Sequence, residues 1–237
     1  MRAAQNCDNT VVALVPYDNR DARSPAVEPA PLAHVRGEPV LVHTLRGLLG
    51  SEVVDRVILA VPPELSPGHS AYAECIEALG PGAARLTQLY CGAGRTNAVR
   101  SAFAAHSLDE AEVVLVHDAT RPFVPPSVFR SVVAAVRAGA PSVVPVQDVT
   151  DTIKVVGDDG TVLSTHDRSG LRAVQGPHGF ATATLRRLVV QGGPGLDETV
   201  SDATVVAGHP NAIRLRTSFD ITVAEALLAG DQAGGQQ

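Results

Sequence analysis

The chain is poor in aromatic residues, which make up 3% of its 237 residues, and it has no tryptophan and a single lysine, Lys154. Its core must therefore be built from Val, Leu, Ala and Ile. Chemistry that needs a cation elsewhere has to use arginine. The balance of charge is −6, which excludes broad binding to nucleic acid or to an anionic membrane surface, since both need a positive field. An anionic ligand must instead meet a local basic cluster. Cysteine is scarce: Cys7, Cys75 and Cys91 are odd in number and form no CxxC pair. They read as reduced thiols of a cytoplasmic protein, not as a disulfide frame or a zinc site. No apolar run approaches the roughly 18 residues of a membrane span, and Met1 to Thr10 has no apolar signal-peptide core. His43, His117 and His178 lack metal-ligand spacing, and there is no Gly-x-Ser-x-Gly elbow for acyl chemistry.

What is present is a globular composition, 45% hydrophobic and 19% charged, of a length that suits one large domain. Apolar runs alternate with helix-length amphipathic segments. Strands are expected at Val11–Val15, Val54–Val61, Leu86–Tyr90, Val113–Val116 and Ser142–Val146. Helices are expected at Val40–Leu49, Ala71–Leu79, Thr96–His106 and Ser127–Arg137. This order predicts an α/β fold, a mostly parallel, Rossmann-like sheet covered by helices on both faces. From residue 147 to 171 the texture changes. Ile153–Val156 and Thr161–Leu163 flank Gly157-Asp158-Asp159-Gly160, the pattern of a β-hairpin. Such an arm either reaches a partner subunit or decorates the surface. A helix follows at Ala181–Val190, then a Gly-rich loop, a short strand at Ala212–Leu215 and a last helix at Phe219–Ala229. The domain is expected to span residues 1–230, with 231–237 a disordered tail.

The stretch from Val113 to Pro122 carries the most chemistry. Val113–Val116 reads as a buried central strand, and His117-Asp118-Ala119-Thr120-Arg121-Pro122 breaks it at the carboxyl end, where open α/β sheets bind ligands. Asp118 can hold Mg²⁺ through oxygen and Arg121 can grip a phosphate with paired donors. The same two residues also suit a turn cap and a solvated rim. After the first strand comes Pro16-Tyr17-Asp18-Asn19-Arg20-Asp21-Ala22-Arg23-Ser24-Pro25. This segment contains no glycine, whereas backbone amides cradle a phosphate best when glycines allow positive φ and close approach. Arg20 and Arg23 could offer side-chain donors instead, or the segment is simply a polar loop. Cys91-Gly92-Ala93-Gly94-Arg95 opens a helix, a place that accepts a base edge or a phosphate.

Taken together, Val-His-Asp-Ala-Thr-Arg-Pro, Asp151-Thr152-Ile153-Lys154 and the run from Asp167 to Phe180 resemble the 2-C-methyl-D-erythritol 4-phosphate cytidylyltransferases. Ser201-Asp202-Ala203 and Thr217 to Ile221 extend the resemblance. It covers about Thr10 to Ala229, and ribitol-phosphate cytidylyltransferases share many of these motifs. The resemblance implies a nucleotidyltransferase domain whose β-arm crosses a homodimer. It implies CTP and a sugar-alcohol phosphate as substrates, Mg²⁺ as cofactor and pyrophosphate as leaving group. By the same resemblance, Asp118 is the Mg²⁺ ligand, Arg214 falls where the family has a phosphate-binding lysine, and Thr152 and Arg168 hold the sugar phosphate in the neighbouring subunit. Arg20 is a candidate to supply charge at the reacting phosphates in place of lost donors, and Arg121 a candidate to hold the acceptor. Pro16, Gly92 and Arg95 fall in the segments that meet the nucleotide.

The chain also departs from the family pattern. The Gly-rich loop is missing, and Ala30 or Pro31 stands where its lysine belongs. Ala98 replaces a nucleotide-contacting serine, Gly176 and His178 replace Thr and Gln, Asn211-Ala212 replaces an acidic-Asn pair, and Arg214 replaces a lysine. Three readings follow: a cytidylyltransferase in which arginines supply the lost donors, a silent paralogue that binds a ligand or partner, and a ribitol- or glycerol-phosphate nucleotidyltransferase.

Overall fold

A computed structural model describes residues 9–17, 31–63, 70–191, 196 and 202–234. Val11–Pro16 forms β1, and its six residues are all buried. The two-residue strands β2 (His34–Val35) and β3 (Glu38–Pro39) pair as a small ribbon, followed by α1, Val40–Leu49. The order continues with β4 (Arg56–Val61), α2 (Ser70–Glu77), a 3₁₀ turn at Gly80–Arg85, β5 (Leu86–Tyr90), α3 (Arg95–Ala104), β6 (Val113–Val116), α4 (Pro126–Arg137) and β7 (Ser142–Asp148). Then come β8 (Ile153–Val156), β9 (Val162–His166), β10 (Arg172–Val174), β11 (His178–Ala181), α5 (Thr182–Val189), β12 (Thr204–Ala207) and α6 (Ser218–Gly234).

The central sheet runs β5-β4-β1-β6-β11-β7-β10, with β12 also beside β7. Strands β5, β4, β1 and β6 are parallel, as is the β12–β7 pair, whereas β11 and β10 run antiparallel to their neighbours. The expected mostly parallel α/β sheet is the one found. Because β4 and β6 lie on opposite sides of β1, the winding reverses between β1 and β6. The crevice at such a switch point is where doubly wound sheets place ligands.

The two faces of the sheet bury separate cores. One packs Val11, Ala13 and Val15 against α1 and α4 through Leu41, Leu45, Leu48, Phe129 and Val132. The other packs Val12, Leu14, Val114 and Val116 against α3 and α5 through Val99, Phe103, Leu185 and Val189. Alternate residues of β1 and β6 thus point to opposite faces. The continuous apolar runs of these strands are the mark of a sheet covered on both sides.

Three sequence expectations need correction. Ala212–Leu215 is not a strand: the segment is irregular and is hooked to the rest by single hydrogen bonds, Leu215 N–H to Thr120 O at 2.9 Å and Arg121 Nη1 to Ala212 O at 2.5 Å. The helix expected at Ala181–Val190 starts one residue later, because Ala181 ends β11. β11 itself escapes a sequence reading because it is short and has Gly179 at its centre. That glycine is there because a Cβ would lie 2.3 Å from Val132 Cγ1 on α4. A bare backbone lets the helix approach the sheet closely. The last helix continues past Gly230 to Gly234, and residues 235–237 lie outside the described residues.

Within the stretch 147–171 a β-hairpin is found, but it is shorter than that stretch: Gln147 and Asp148 still belong to β7 and pair with β10. Among the described residues β8 and β9 pair only with each other, in antiparallel register from Ile153–His166 to Val156–Val162.

Candidate active site

The carboxyl ends of β1 and β6 open into a cleft of about 220 Å³. Its walls include Pro16, Asp118, Arg121, Arg95, Arg214 and His178. Asp118 is fixed from both sides. One oxygen, Oδ1, accepts from the backbone N–H of Thr120 at 2.9 Å and from its hydroxyl at 2.7 Å. The other, Oδ2, lies 2.5 Å from Arg214 Nε and 4.0 Å from Arg121 Nε. Burial works against charge on this carboxyl. The Arg214 cation, the two Thr120 hydrogen bonds and His117 outweigh it and hold Asp118 below the usual carboxylate range. The aspartate therefore enters any reaction ionised.

The loop that carries Asp118 is braced from the core. Ala119 and Thr120 are buried, and the Ala119 carbonyl accepts from Thr44 Oγ1 of α1 at 2.8 Å. His117 is also buried and is held edge-on against Phe129. Its Nε2 donates to the Arg121 carbonyl at 3.1 Å, which folds the turn back on itself. Burial pushes its pKa down to about 4. Arg121 spends its donors on the carbonyls of Ala212 and, at 3.4 Å, Val174. It locks the cleft wall as well as adding charge. The irregular 212–216 segment, hooked in this way, delivers Arg214 to Asp118.

On the far wall, Gly94 adopts φ +105° and starts α3, so Arg95 occupies the first helical turn. Its Nη2 lies 3.2 Å from His178 Nδ1. Burial and the charges of Arg95 and Arg121 push the His178 pKa down to about 3, against a hydrogen bond to the Gln175 backbone. Arg95, Arg214 and Arg216 all act electrostatically on Arg121, and Asp118 is the only carboxylate among the described residues lining the cleft. Such an excess of guanidinium suits a polyphosphate.

Of the residues singled out in the sequence, Pro16, Arg95, Asp118, Arg121 and Arg214 come together here. Gly92 is exposed and does not line the cleft; a Cβ on it would meet only Asn97 Nδ2, at 3.8 Å. Arg20 and Arg23 lie outside the described residues. Thr152 and Arg168 are not in the cleft either. They stand at the foot of the hairpin, where Arg168 Nη1 donates to the Thr150 carbonyl. Among the described residues no group of three His, Cys, Asp or Glu side chains is placed to hold a metal by itself. His178 entered the sequence reading only as a departure from the family pattern, not as a site residue. The signal is its position at the start of an antiparallel strand. His178 pairs with Val116, so it lands at the carboxyl end of β6 beside Asp118.

The sequence profile of the 2-C-methyl-D-erythritol 4-phosphate cytidylyltransferases matches residues 11–230. The chain belongs to this family. It is 43% identical to the 2-C-methyl-D-erythritol 4-phosphate cytidylyltransferase of Saccharopolyspora erythraea over 232 residues, covering 93% of this chain and all of that one. It is 39% identical to the Rhodococcus opacus protein of the same name, over 92% and 95% of the two chains. Among solved structures, the 2-C-methyl-D-erythritol 4-phosphate cytidylyltransferase of Thermus thermophilus superposes with a TM-score of 0.67 at 27% identity, over 92% of this chain and 98% of the other. The 4-diphosphocytidyl-2C-methyl-D-erythritol synthase of Anaerococcus prevotii gives 0.72 at 21%, over 93% and 99%, and so shares the fold. The sheet described above is thus the nucleotidyltransferase fold of this family. Among the described residues no helix is long and apolar enough to cross a membrane, and Cys75 and Cys91 are free and buried.

Proposed function

We propose that this chain is a cytidylyltransferase of the isoprenoid-precursor pathway, transferring CMP from CTP to 2-C-methyl-D-erythritol 4-phosphate. An oxygen of the acceptor's phosphate attacks the α-phosphorus of CTP. The bond from that phosphorus to the β-bridging oxygen breaks, and pyrophosphate leaves with the electron pair. Little covalent work falls to the protein, so alignment and neutralisation of charge do the catalysis. The observation that carries this reading is the fixed, ionised Asp118, set between Arg214 and Thr120 at the switch point, with Arg95 and Arg121 on the same cleft.

In this reading Arg95, Arg121 and Arg214 bind the phosphates, and Pro16 bounds the nucleotide's side of the cleft. Arg20 is a further candidate donor from the segment after β1. The donor set also fits Mg²⁺ that arrives on the triphosphate. That ion commonly takes one or two carboxylates and fills its shell with phosphate oxygens and water, and Asp118 supplies one carboxylate. Bound there, Mg²⁺ would neutralise charge on the phosphates.

The acceptor's phosphate is held by Thr152 and Arg168 of a second copy. Support comes from the arm's surface: Val156, Val162 and Leu163 are 54%, 58% and 66% exposed, and Val174 and Val205 are uncovered on the body near its base. Apolar groups left open together in this way mark a protein interface, and a two-fold dimer presents the same patch twice.

Pyrophosphate release with CTP, Mg²⁺ and 2-C-methyl-D-erythritol 4-phosphate tests the reaction, with ribitol and glycerol phosphates in parallel. Turnover with the methylerythritol phosphate alone is expected. Turnover only with another acceptor would move the substrate, and silence with all three from a folded dimer would overturn the activity.

A further inference from the structure

We propose that His178 is a positioning residue that aims the Arg95 guanidinium at the polyphosphate of the bound nucleotide. The inference rests on the reading above for the identity of the nucleotide. Arginine donates and never accepts, so the 3.2 Å contact between Arg95 Nη2 and His178 Nδ1 requires a lone pair on Nδ1. The ring proton then belongs to Nε2, and a hydrogen bond to the Gln175 backbone also bears on the ring. His178 is anchored at its own backbone by β11, in register with Val116 of β6. The imidazole is therefore a rigid bracket between the sheet and the first turn of α3.

This contact fixes the guanidinium without cancelling its charge, because the imidazole partner is neutral. A carboxylate at position 178 would hold Arg95 equally well but would oppose an incoming triphosphate. Arg95 stands at the amino end of a ten-residue helix, so the helix dipole adds to the attraction for phosphate. Arg121 and Arg214 face the same cleft but are engaged with carbonyls and with Asp118. Across from them, the Arg95–His178 pair supplies a further arginine contact for the same anion. A long arginine side chain loses rotamer freedom when it binds. Pre-setting it on His178 lowers that cost.

The test is calorimetric titration of the full-length protein with inorganic tripolyphosphate, which has neither base nor sugar, and separately with cytidine. The proteins compared are wild type, Arg95→Ala, His178→Leu, His178→Asn and the double variant Arg95→Ala/His178→Leu, each with its thermal melt. A charge-assisted hydrogen bond sets the scale. His178→Leu should weaken tripolyphosphate binding by about tenfold, leave cytidine binding unchanged, and add little to the loss already caused by Arg95→Ala. His178→Asn, whose amide oxygen can replace Nδ1 as acceptor, should restore most of the affinity. If the leucine variant fails to fold, His178→Ala makes the same comparison. Unchanged tripolyphosphate affinity in His178→Leu, full additivity with Arg95→Ala, or an equal loss for cytidine would each overturn the proposal. The two readings fail separately. Wild-type turnover with His178-independent tripolyphosphate binding rejects this inference alone, and His178-dependent binding without turnover rejects the assigned reaction alone.

Discussion

The cleft and the arm of this protein are built on opposite principles. In the cleft every chemical group is held by the core: Asp118 by Thr120 and Arg214, its loop by Thr44, Arg121 by two carbonyls. In the arm, β8 and β9 pair only with each other among the described residues, and residues from Lys154 to Gly170 are almost all exposed. A hairpin of two strands with no packed face has little stability by itself. Charge stabilisation in phosphoryl transfer needs donors set before the reaction begins, and a braced loop provides that. The arm carries its own polar groups, Thr152 and Arg168, away from any such frame. The difference teaches that the cleft is braced by its own chain, whereas the arm's polar groups stand on a hairpin with no packed face.

The sharpest way to test the cleft half is to remove its charge. Asp118→Asn keeps the shape and the Thr120 contacts, yet it should lower kcat by about 10²–10³-fold or more, while losing the Arg214 ion pair lowers the melting temperature without unfolding the protein at assay temperature. A variant with near-normal kcat would show that the braced aspartate is only a cap. Arg168→Ala on the arm should behave differently. Loss of one charged contact to the acceptor's phosphate should raise the acceptor KM by about 10–100-fold and leave the CTP KM alone. Equal effects on both substrates would erase the distinction between the two regions. Smaller still is the effect expected from Leu163→Asp. It should weaken dimerisation by about tenfold or more in sedimentation and leave the thermal unfolding of the body intact, because Leu163 is 66% exposed. A lowered melting temperature at protein concentrations where wild type is monomeric would show that the arm packs on its own chain.

The cleft also has a proton signature of its own, carried by buried imidazoles. His117 and His178 have pKa values pushed down to about 4 and about 3 from 6.5. As pH falls the unfolded chain takes up these protons first, so folding stability is complete above pH 6.5 and declines as pH drops towards 4. For buried His117 alone the decline is on the order of 3 kcal/mol. Asp118 acts in the same direction at lower pH, because its depressed pKa contributes stability that is lost only as pH falls through it. Urea unfolding across this range should show the slope, and His178→Asn should flatten it by up to about one proton. A wild-type stability that is flat from pH 6.5 to 4 would contradict burial of neutral imidazoles in the cleft.

The parts of the fold legible in the sequence are those in which local pattern and global burial agree. Val113–Val116 is an unbroken apolar run because both faces of β6 are covered, and the His-Asp break falls where the strand ends. Helix α1 begins and ends where its apolar periodicity does. The hairpin announces itself through a Gly-Asp-Asp-Gly turn between β-branched runs. Features set by long-range packing were not legible. Gly179 is a poor strand residue that is required by the approach of α4. β12 is an exposed edge strand with no alternation to reveal it. Ala212–Leu215 has strand-like composition, yet Thr120 and Arg121 take its backbone groups one at a time. In the site, Asp118, Arg121 and Arg214 could be named because their motif carries them. His178 could be named only as a departure from the family pattern, because its place beside Asp118 depends on a pairing between strands more than sixty residues apart in sequence.

The central claim is that the cleft of one copy is completed by the arm of another. Complementation tests it most directly. Asp118→Asn and Arg168→Ala chains are co-expressed with different tags, the mixed dimer is purified, and pyrophosphate release is measured with saturating CTP and with methylerythritol phosphate below the wild-type KM. In the mixed dimer one site combines an intact Asp118 with an intact Arg168 from the other chain, and its twin carries both lesions. The account predicts about half of wild-type activity from the purified mixed dimer, far above either homodimer. Activity no greater than the mean of the two homodimers would place Arg168 and Asp118 at the same site within one chain, and would contradict it.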